Sequence, residues 1–149
     1  AEAITKALKA ISPKDNEAFS KNFKALHMLL TNLNNHLTEE LAPFKGEAFL
    51  TTHNAYGYFC HRYHLLQFGI EPGDGKEMRT KDIHYVLEEA HSNKDALICV
   101  LTQPQHVNRA AETIGSKLDL PLRMVNPYEQ DYIGTINKLA KIVKKYGRK

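Results

Sequence analysis

The sequence has no apolar segment of the roughly 20 residues that a membrane-spanning helix needs. No signal-peptide pattern precedes Ala1, so we expect the chain to be a soluble mature form or a fragment. The chain also has no large excess of charge of one sign: the formal net charge is only +3, and acidic and basic residues interleave. The one basic run, residues 144–149, is typical of a solvated helix end, so a nucleic-acid surface is not indicated.

Motifs of common enzyme classes are missing as well. Residues 73–76 read Gly-Asp-Gly-Lys, but they lack the leading glycine and the following Ser or Thr of a phosphate loop, so we expect a turn. There is no Gly-x-Ser-x-Gly elbow, and neither Cys60 nor Cys99 lies in a nucleophile signature. We expect both cysteines to be packed thiols, one in a helix and one in a strand. Hydrolase or acyl-transfer chemistry therefore has no support.

What is present is ordinary globular composition, with 42% hydrophobic and 25% charged residues, over 149 residues that suffice for one domain. The first forty residues look helical, with an N-cap pattern at residues 12–15, Ser-Pro-Lys-Asp. Leucine and phenylalanine then recur at spacings of three and four up to Leu41, which predicts an amphipathic helix over residues 13–42. At about 45 Å it would span a compact domain of this size, as a coiled-coil element or as a strut between two lobes.

From residue 48 onward, apolar runs alternate with helical patterns. The predicted strands are residues 48–52, 65–69, 96–102 and 122–126, and the predicted helices are residues 55–63, 81–91, 105–118 and 129–146. Such alternation predicts an α/β fold with a four-stranded parallel sheet flanked by helices. We expect a helical segment, residues 1–47, and an α/β lobe, residues 48–149, that together form one compact unit.

His53 is the most informative residue, because it follows a predicted strand and precedes a helix for which Asn54 is a competent N-cap. Open α/β sheets bind ligands in the crevice at the carboxyl ends of their strands. A lone histidine there is also compatible with a purely structural role. Nearby Cys60, His61 and His64 cannot share one ion with His53, because His61 would lie about 10 Å along the helix. His61 and His64 could hold an adventitious surface metal, and we expect the remaining histidines to be solvated: His27, His36, His84, His91 and His106.

Four short runs and the long helix carry a family resemblance. Residues 53–59 read His-Asn-Ala-Tyr-Gly-Tyr-Phe, similar to the His-Asp-Ala-Tyr-Gly-Tyr-Phe of the carboxyl-terminal lobe of zinc/manganese solute-binding proteins of bacterial ABC importers, particularly the zinc-uptake (ZnuA-type) members. Residues 41–46 look like that family's exit from its linker helix, and residues 102–105 are similar to its Glu-Pro-Gln after the third strand. Asn126 begins an Asn-Pro-Tyr run where the family usually has Asp-Pro-Leu, and the long helix matches the strut.

The resemblance implies that His53 is the metal ligand from this lobe. A histidine there favours zinc over manganese, since imidazole suits zinc and carboxylate suits manganese. Asn126 stands in place of a ligating aspartate, so it would be a weak ligand or would support the others. The family's first lobe is missing, and this chain should not close a four-coordinate site alone. The implied partners are zinc, the missing amino-terminal lobe and an ABC permease, in the periplasm or another extracytoplasmic space.

The resemblance implies capture and transport without catalysis. The rival prediction is a structural or interaction module on the same fold, in which the exposed stripe of the long helix pairs with a partner. A metal-dependent enzyme is the third possibility, and it is disfavoured because no second strong acid-base group stands near a strand end.

Overall fold

A computed structural model describes residues 1–70, 80–106 and 109–148. The elements in chain order are α1 (Glu2–Ile11), a 3-10 turn (Pro13–Asp15), α2 (Asn16–Leu41), a second 3-10 turn (Ala42–Phe44), β1 (Ala48–Thr51), α3 (Gly57–Tyr63), β2 (Leu66–Gly69), α4 (Thr80–Ser92), β3 (Leu97–Thr102), α5 (Arg109–Leu118), β4 (Leu122–Met124) and α6 (Tyr132–Tyr146). The turn expected at residues 73–76 and part of the expected helix 105–118 lie outside the described residues.

The four strands form one parallel sheet in the order β2-β1-β3-β4, which confirms the predicted α/β fold. Every residue of the two central strands, β1 and β3, is buried, whereas the edge strands β2 and β4 are partly exposed. Helices cover both faces of a parallel sheet, so its central strands read as continuous apolar runs. That is why these two strands were recognisable in the sequence to within one residue at each end.

The core on one face of the sheet joins side chains of β1 and β3 to α4 and α5. Its buried members are Ala48, Leu50, Ile70, Ala90, Leu97, Val100, Ala111, Ile114 and Leu118. Helix α6 contacts β3 and buries Leu139, Ala140, Ile142 and Val143. Because these contacts fix the central strands, the loops that follow their carboxyl ends start from a rigid base.

The long helix is shorter than predicted, because a tight turn replaces its first residues. The Ser12 hydroxyl donates a hydrogen bond of 2.6 Å to Asp15, and the Asp15 N–H donates to the Ser12 carbonyl at 3.1 Å. These bonds close a 3-10 turn, and α2 begins only at Asn16. At its other end, Pro43 lies in the second 3-10 turn. The 26 residues of α2 extend about 39 Å.

Several predicted boundaries need small corrections. The strand predicted to end at residue 126 ends at Met124, and the helix predicted from residue 129 begins at Tyr132, where Asp131 caps it by accepting from the Gly134 N–H at 2.8 Å. The chain divides into two compact units, Ala1–Glu40 and Leu41–Lys149. The division at residue 47 expected from the sequence stays a prediction. None of the described helices is long and apolar enough to cross a membrane.

Candidate metal site

The strand order places the topological switch point of the sheet between the carboxyl ends of β1 and β3. The chain leaves β1 for β2 on one side and leaves β3 for β4 on the other, so the connections diverge at this point. Open α/β sheets bind their ligands at such a switch point, where diverging loops leave room above the sheet. The residues that follow these strands are therefore the ones to inspect for metal ligands.

His53 lies at this edge with an exposed side chain and an anchored backbone. The Thr52 N–H extends the strand pairing by donating to the Leu101 carbonyl at 3.1 Å. The His53 carbonyl accepts from the Gln103 side chain at 3.1 Å and from the Ala55 N–H at 2.8 Å. The loop after β1 is thus tied to the loop after β3, while the imidazole faces outward and is accessible to a ligand.

Asn54 is not the N-cap of α3, so that prediction is wrong. The helix begins at Gly57, and its N-cap is Tyr56, which makes no side-chain capping bond. Asn54 Oδ1 instead accepts from Thr51 Oγ1 at 3.2 Å and from Gln67 Nε2 at 2.9 Å. Gln67 Oε1 in turn accepts the Tyr56 N–H at 2.9 Å. A side chain from β2 therefore takes the place of a local cap. The bonds from Thr51 and Gln67 hold Asn54, the residue that follows His53, in place.

Tyr56 holds the start of α3 against the end of β4. Its buried hydroxyl donates a hydrogen bond of 2.8 Å to the carbonyl of Val125, the residue before Asn126. Burial raises the pKa of Tyr56 to about 12, so the hydroxyl keeps its proton as a donor at neutral pH. This bond connects the His53 loop to the loop that carries Asn126.

Asn126 lies beyond β4 with its amide already engaged. Its Oδ1 accepts from the Gln105 side chain at 2.6 Å and from the Tyr128 N–H at 3.1 Å, and its Nδ2 donates to Glu129 at 3.1 Å. An amide oxygen with two donors has little electron density left for a metal ion. A role as a weak ligand or as a support for other ligands stays a prediction, and these bonds favour the supporting role.

His106 is a neighbour of His53 that the sequence did not predict. It was expected to be solvated, but it is half-buried and its ring stacks on that of His53, with the ring centroids 5.1 Å apart and the planes at 15°. Its N–H donates to the Gln103 carbonyl at 3.3 Å, which closes a turn just after β3. The contact follows from the pairing of β1 with β3 in the sheet. This pairing places His106, four residues after β3, beside His53, two residues after β1.

The other candidate ligands do not join this pair. Cys60 is buried within α3, whereas His61 and His64 are exposed, and His64 ends the helix in a left-handed conformation with φ 58°. His27, His36, His84 and His91 are exposed, as expected. Over residues 1–70, 80–106 and 109–148, no three His, Cys, Asp or Glu side chains are grouped so that they could hold a metal ion. In this described part, the switch point brings together two imidazoles.

The described residues thus form an α/β fold with a four-stranded parallel sheet and an exposed histidine at its switch point. The family model described as "Zinc-uptake complex component A periplasmic" matches residues 1–146. The chain belongs to this family.

One sequence relative and two solved structures are similar to this chain, and all three are about twice its length. The high-affinity zinc uptake system protein ZnuA of Haemophilus ducreyi is 25% identical over 148 residues, which cover 95% of this chain and 44% of that protein. A crystal structure of ZnuA matches with a TM-score of 0.88 at 23% identity, covering 97% of this chain and 54% of that one. A crystal structure of a zinc-bound ZnuA deletion mutant matches with a TM-score of 0.83 at 23% identity, covering 98% of this chain and 55% of that one. The chain thus spans about half the length of the relatives it matches.

Proposed function

We propose that this chain is the zinc-binding carboxyl-terminal lobe of a periplasmic solute-binding protein that captures zinc for an ABC importer. The observation that carries the proposal is His53, an exposed imidazole on an anchored backbone at the switch point of the sheet. Imidazole nitrogen is a preferred zinc ligand and suits manganese less well. The family match supports metal uptake as the process that this site serves.

In the proposed mechanism, zinc is held between this lobe and a second lobe that contributes further ligands. His53 binds the ion from this side, while the hydrogen bonds from Gln103 and around Asn54 keep its backbone in place. Zinc prefers four ligands, so an edge that presents imidazoles alone leaves positions for the other lobe. Release to a permease then requires only that the two lobes separate, and no bond of a substrate is made or broken.

Calorimetric titration of the chain with zinc tests the proposal. We expect weak binding of one zinc ion, weaker still for manganese, and a loss of at least about tenfold in zinc affinity in His53→Ala, since even the hydrogen-bond partners of metal ligands are worth about 10–100-fold. His61→Ala is the matched control, because His61 is an exposed histidine on α3. Zinc affinity that is unchanged in His53→Ala would refute the assignment.

A second candidate function is an interaction module, and the exposed apolar side chains of α1 and α2 favour it. Ile4 is 65% exposed, Ile11 79% and Met28 62%. Clusters of exposed large apolar side chains mark interaction surfaces more often than isolated ones do. The two candidates differ in their dependence on His53, which metal capture requires and association through the helices does not.

A further inference from the structure

The side chain next to His53 is a second imidazole from the same chain. His53 follows β1 and His106 follows β3, and these two strands are hydrogen-bonded neighbours. Both loops are tied to the same residue, because Gln103 donates to the His53 carbonyl through its side chain and accepts from the His106 N–H through its own carbonyl. The backbone positions of the two histidines are therefore fixed by the sheet and by Gln103.

That separation fits a shared ion. An imidazole bound to zinc through a bond of about 2.0–2.1 Å has its ring centre roughly 3.2 Å from the ion, so two imidazoles on a tetrahedral ion have centres roughly 5.2 Å apart. The observed separation is 5.1 Å. The observed planes lie at 15° to each other, so each ring must turn until one of its nitrogens faces the ion. The axis of the bond from Cβ to the ring passes close to the ring centre, so rotation about this bond changes the separation of the centres little.

We propose that His106 is a second metal ligand of this chain, so that His53 and His106 chelate one zinc ion at the switch point. This inference rests on the proposed function and deepens it, because it makes the site of this lobe a two-imidazole site. Two nitrogen ligands strengthen the preference for zinc over manganese. They also leave only two positions of a tetrahedral site for groups outside this chain.

The alternative is that His106 only packs against His53 as a flat ring. His106→Phe separates the two roles, because phenylalanine keeps an aromatic ring that can stack but has no nitrogen. His106→Ala removes both the ring contact and the ligand. His61→Ala is again the matched control, and the thermal unfolding midpoint of each variant without metal reports on folding.

The experiment is a zinc titration of these variants with two readouts, calorimetry and the ¹⁵N spectra of the histidine rings. We expect the ring signals of both His53 and His106 to shift together as one zinc ion binds. We also expect His106→Phe to lose at least about tenfold in zinc affinity, by the same comparison with the partners of metal ligands. Its unfolding midpoint without metal should equal that of the unaltered chain.

Two results would overturn this inference and leave the proposed function intact. One is wild-type zinc affinity in His106→Phe, with or without a loss in His106→Ala, because stacking alone would then explain the contact. The other is a zinc-dependent shift of the His53 ring alone. Zinc affinity that does not change in His53→Ala contradicts the proposed function itself and the chelate with it.

Discussion

At the scale of single residues, the two cysteines show how burial decides reactivity. Cys60 in α3 and Cys99 in β3 are both buried free thiols, 3% and 0% exposed, as the sequence predicts. Burial raises the pKa of each from 9.0 to about 12, against a smaller lowering by a backbone hydrogen bond at Cys60 and by Arg123 at Cys99. The thiolate is the nucleophile and the metal ligand, so neither cysteine competes with the histidines for zinc at neutral pH.

This burial has a measurable consequence in alkali. Between pH 9 and about 12 the unfolded chain releases thiol protons that the folded chain retains, so the free energy of unfolding should fall as pH rises through this range. Denaturant unfolding at pH 7, 9 and 10 measures the trend, with Cys99→Ala as the variant in which it should weaken. At pH 8 a thiol reagent should label both cysteines only after denaturation. Rapid labelling of the folded protein would contradict the buried assignment.

At the scale of elements, the end of β2 and the loop after β1 are packed as one piece. Gly69 closes β2, and a methyl group on its Cα would lie 2.8 Å from both Oδ1 and Nδ2 of Asn54. Asn54 accepts the hydrogen bonds from Thr51 and Gln67 that fix the residue beside His53. Glycine at position 69 therefore leaves the space that the Asn54 side chain occupies beside the candidate metal site.

Gly69→Ala should displace Asn54 and break these two hydrogen bonds. We expect a loss of about 1–3 kcal/mol in the free energy of unfolding, from roughly 0.5–1.5 kcal/mol per hydrogen bond, together with weaker zinc binding. Gly57→Ala is the matched control, because nothing lies within 4 Å of the position of its added methyl group. In the double variant Gly69→Ala/Asn54→Ala the added methyl should cost little, since its obstacle is gone. Equal stability of the two single glycine variants in denaturant would disprove this packing.

The elements also show which structural features the sequence could predict. The strands β1 and β3 were recognisable because a buried parallel strand is a continuous apolar run. The start of α3 was not, because the group that takes the place of a local cap, Gln67, comes from a strand eleven residues away. His53 was singled out by its place after a strand, a local property, and its role as a metal ligand was implied by the family resemblance of residues 53–59. His106 was missed because its contact with His53 depends on β3 pairing beside β1, which no local pattern encodes.

At the scale of the whole molecule, the unit Ala1–Glu40 leaves several large apolar side chains exposed. Helix α1 has no buried residue, although its apolar side chains recur on one face. A groove of about 790 Å³ in this unit is lined by Phe23, His27 and Met28 of α2 and by the first residues of the chain. The large apolar side chains with substantial exposure here are Ile4, Leu8, Ile11, Leu26, Met28 and Leu29.

This surface should make the chain associate at high concentration, because exposed apolar clusters gain free energy when water is removed from them and a net charge of +3 opposes association weakly. Sedimentation velocity over a hundredfold range of concentration measures the effect. We expect Leu26→Glu combined with Leu29→Glu to shift the distribution toward the monomer. Lys21→Glu makes the same change in net charge at an exposed position of α2 outside the groove, and it should change the distribution less. Zinc affinity should be the same in all three proteins, since His53 and His106 lie outside this unit. A monomer at every concentration would contradict the interaction module. A zinc affinity that fell as the chain associated would contradict the expected independence of metal binding from association.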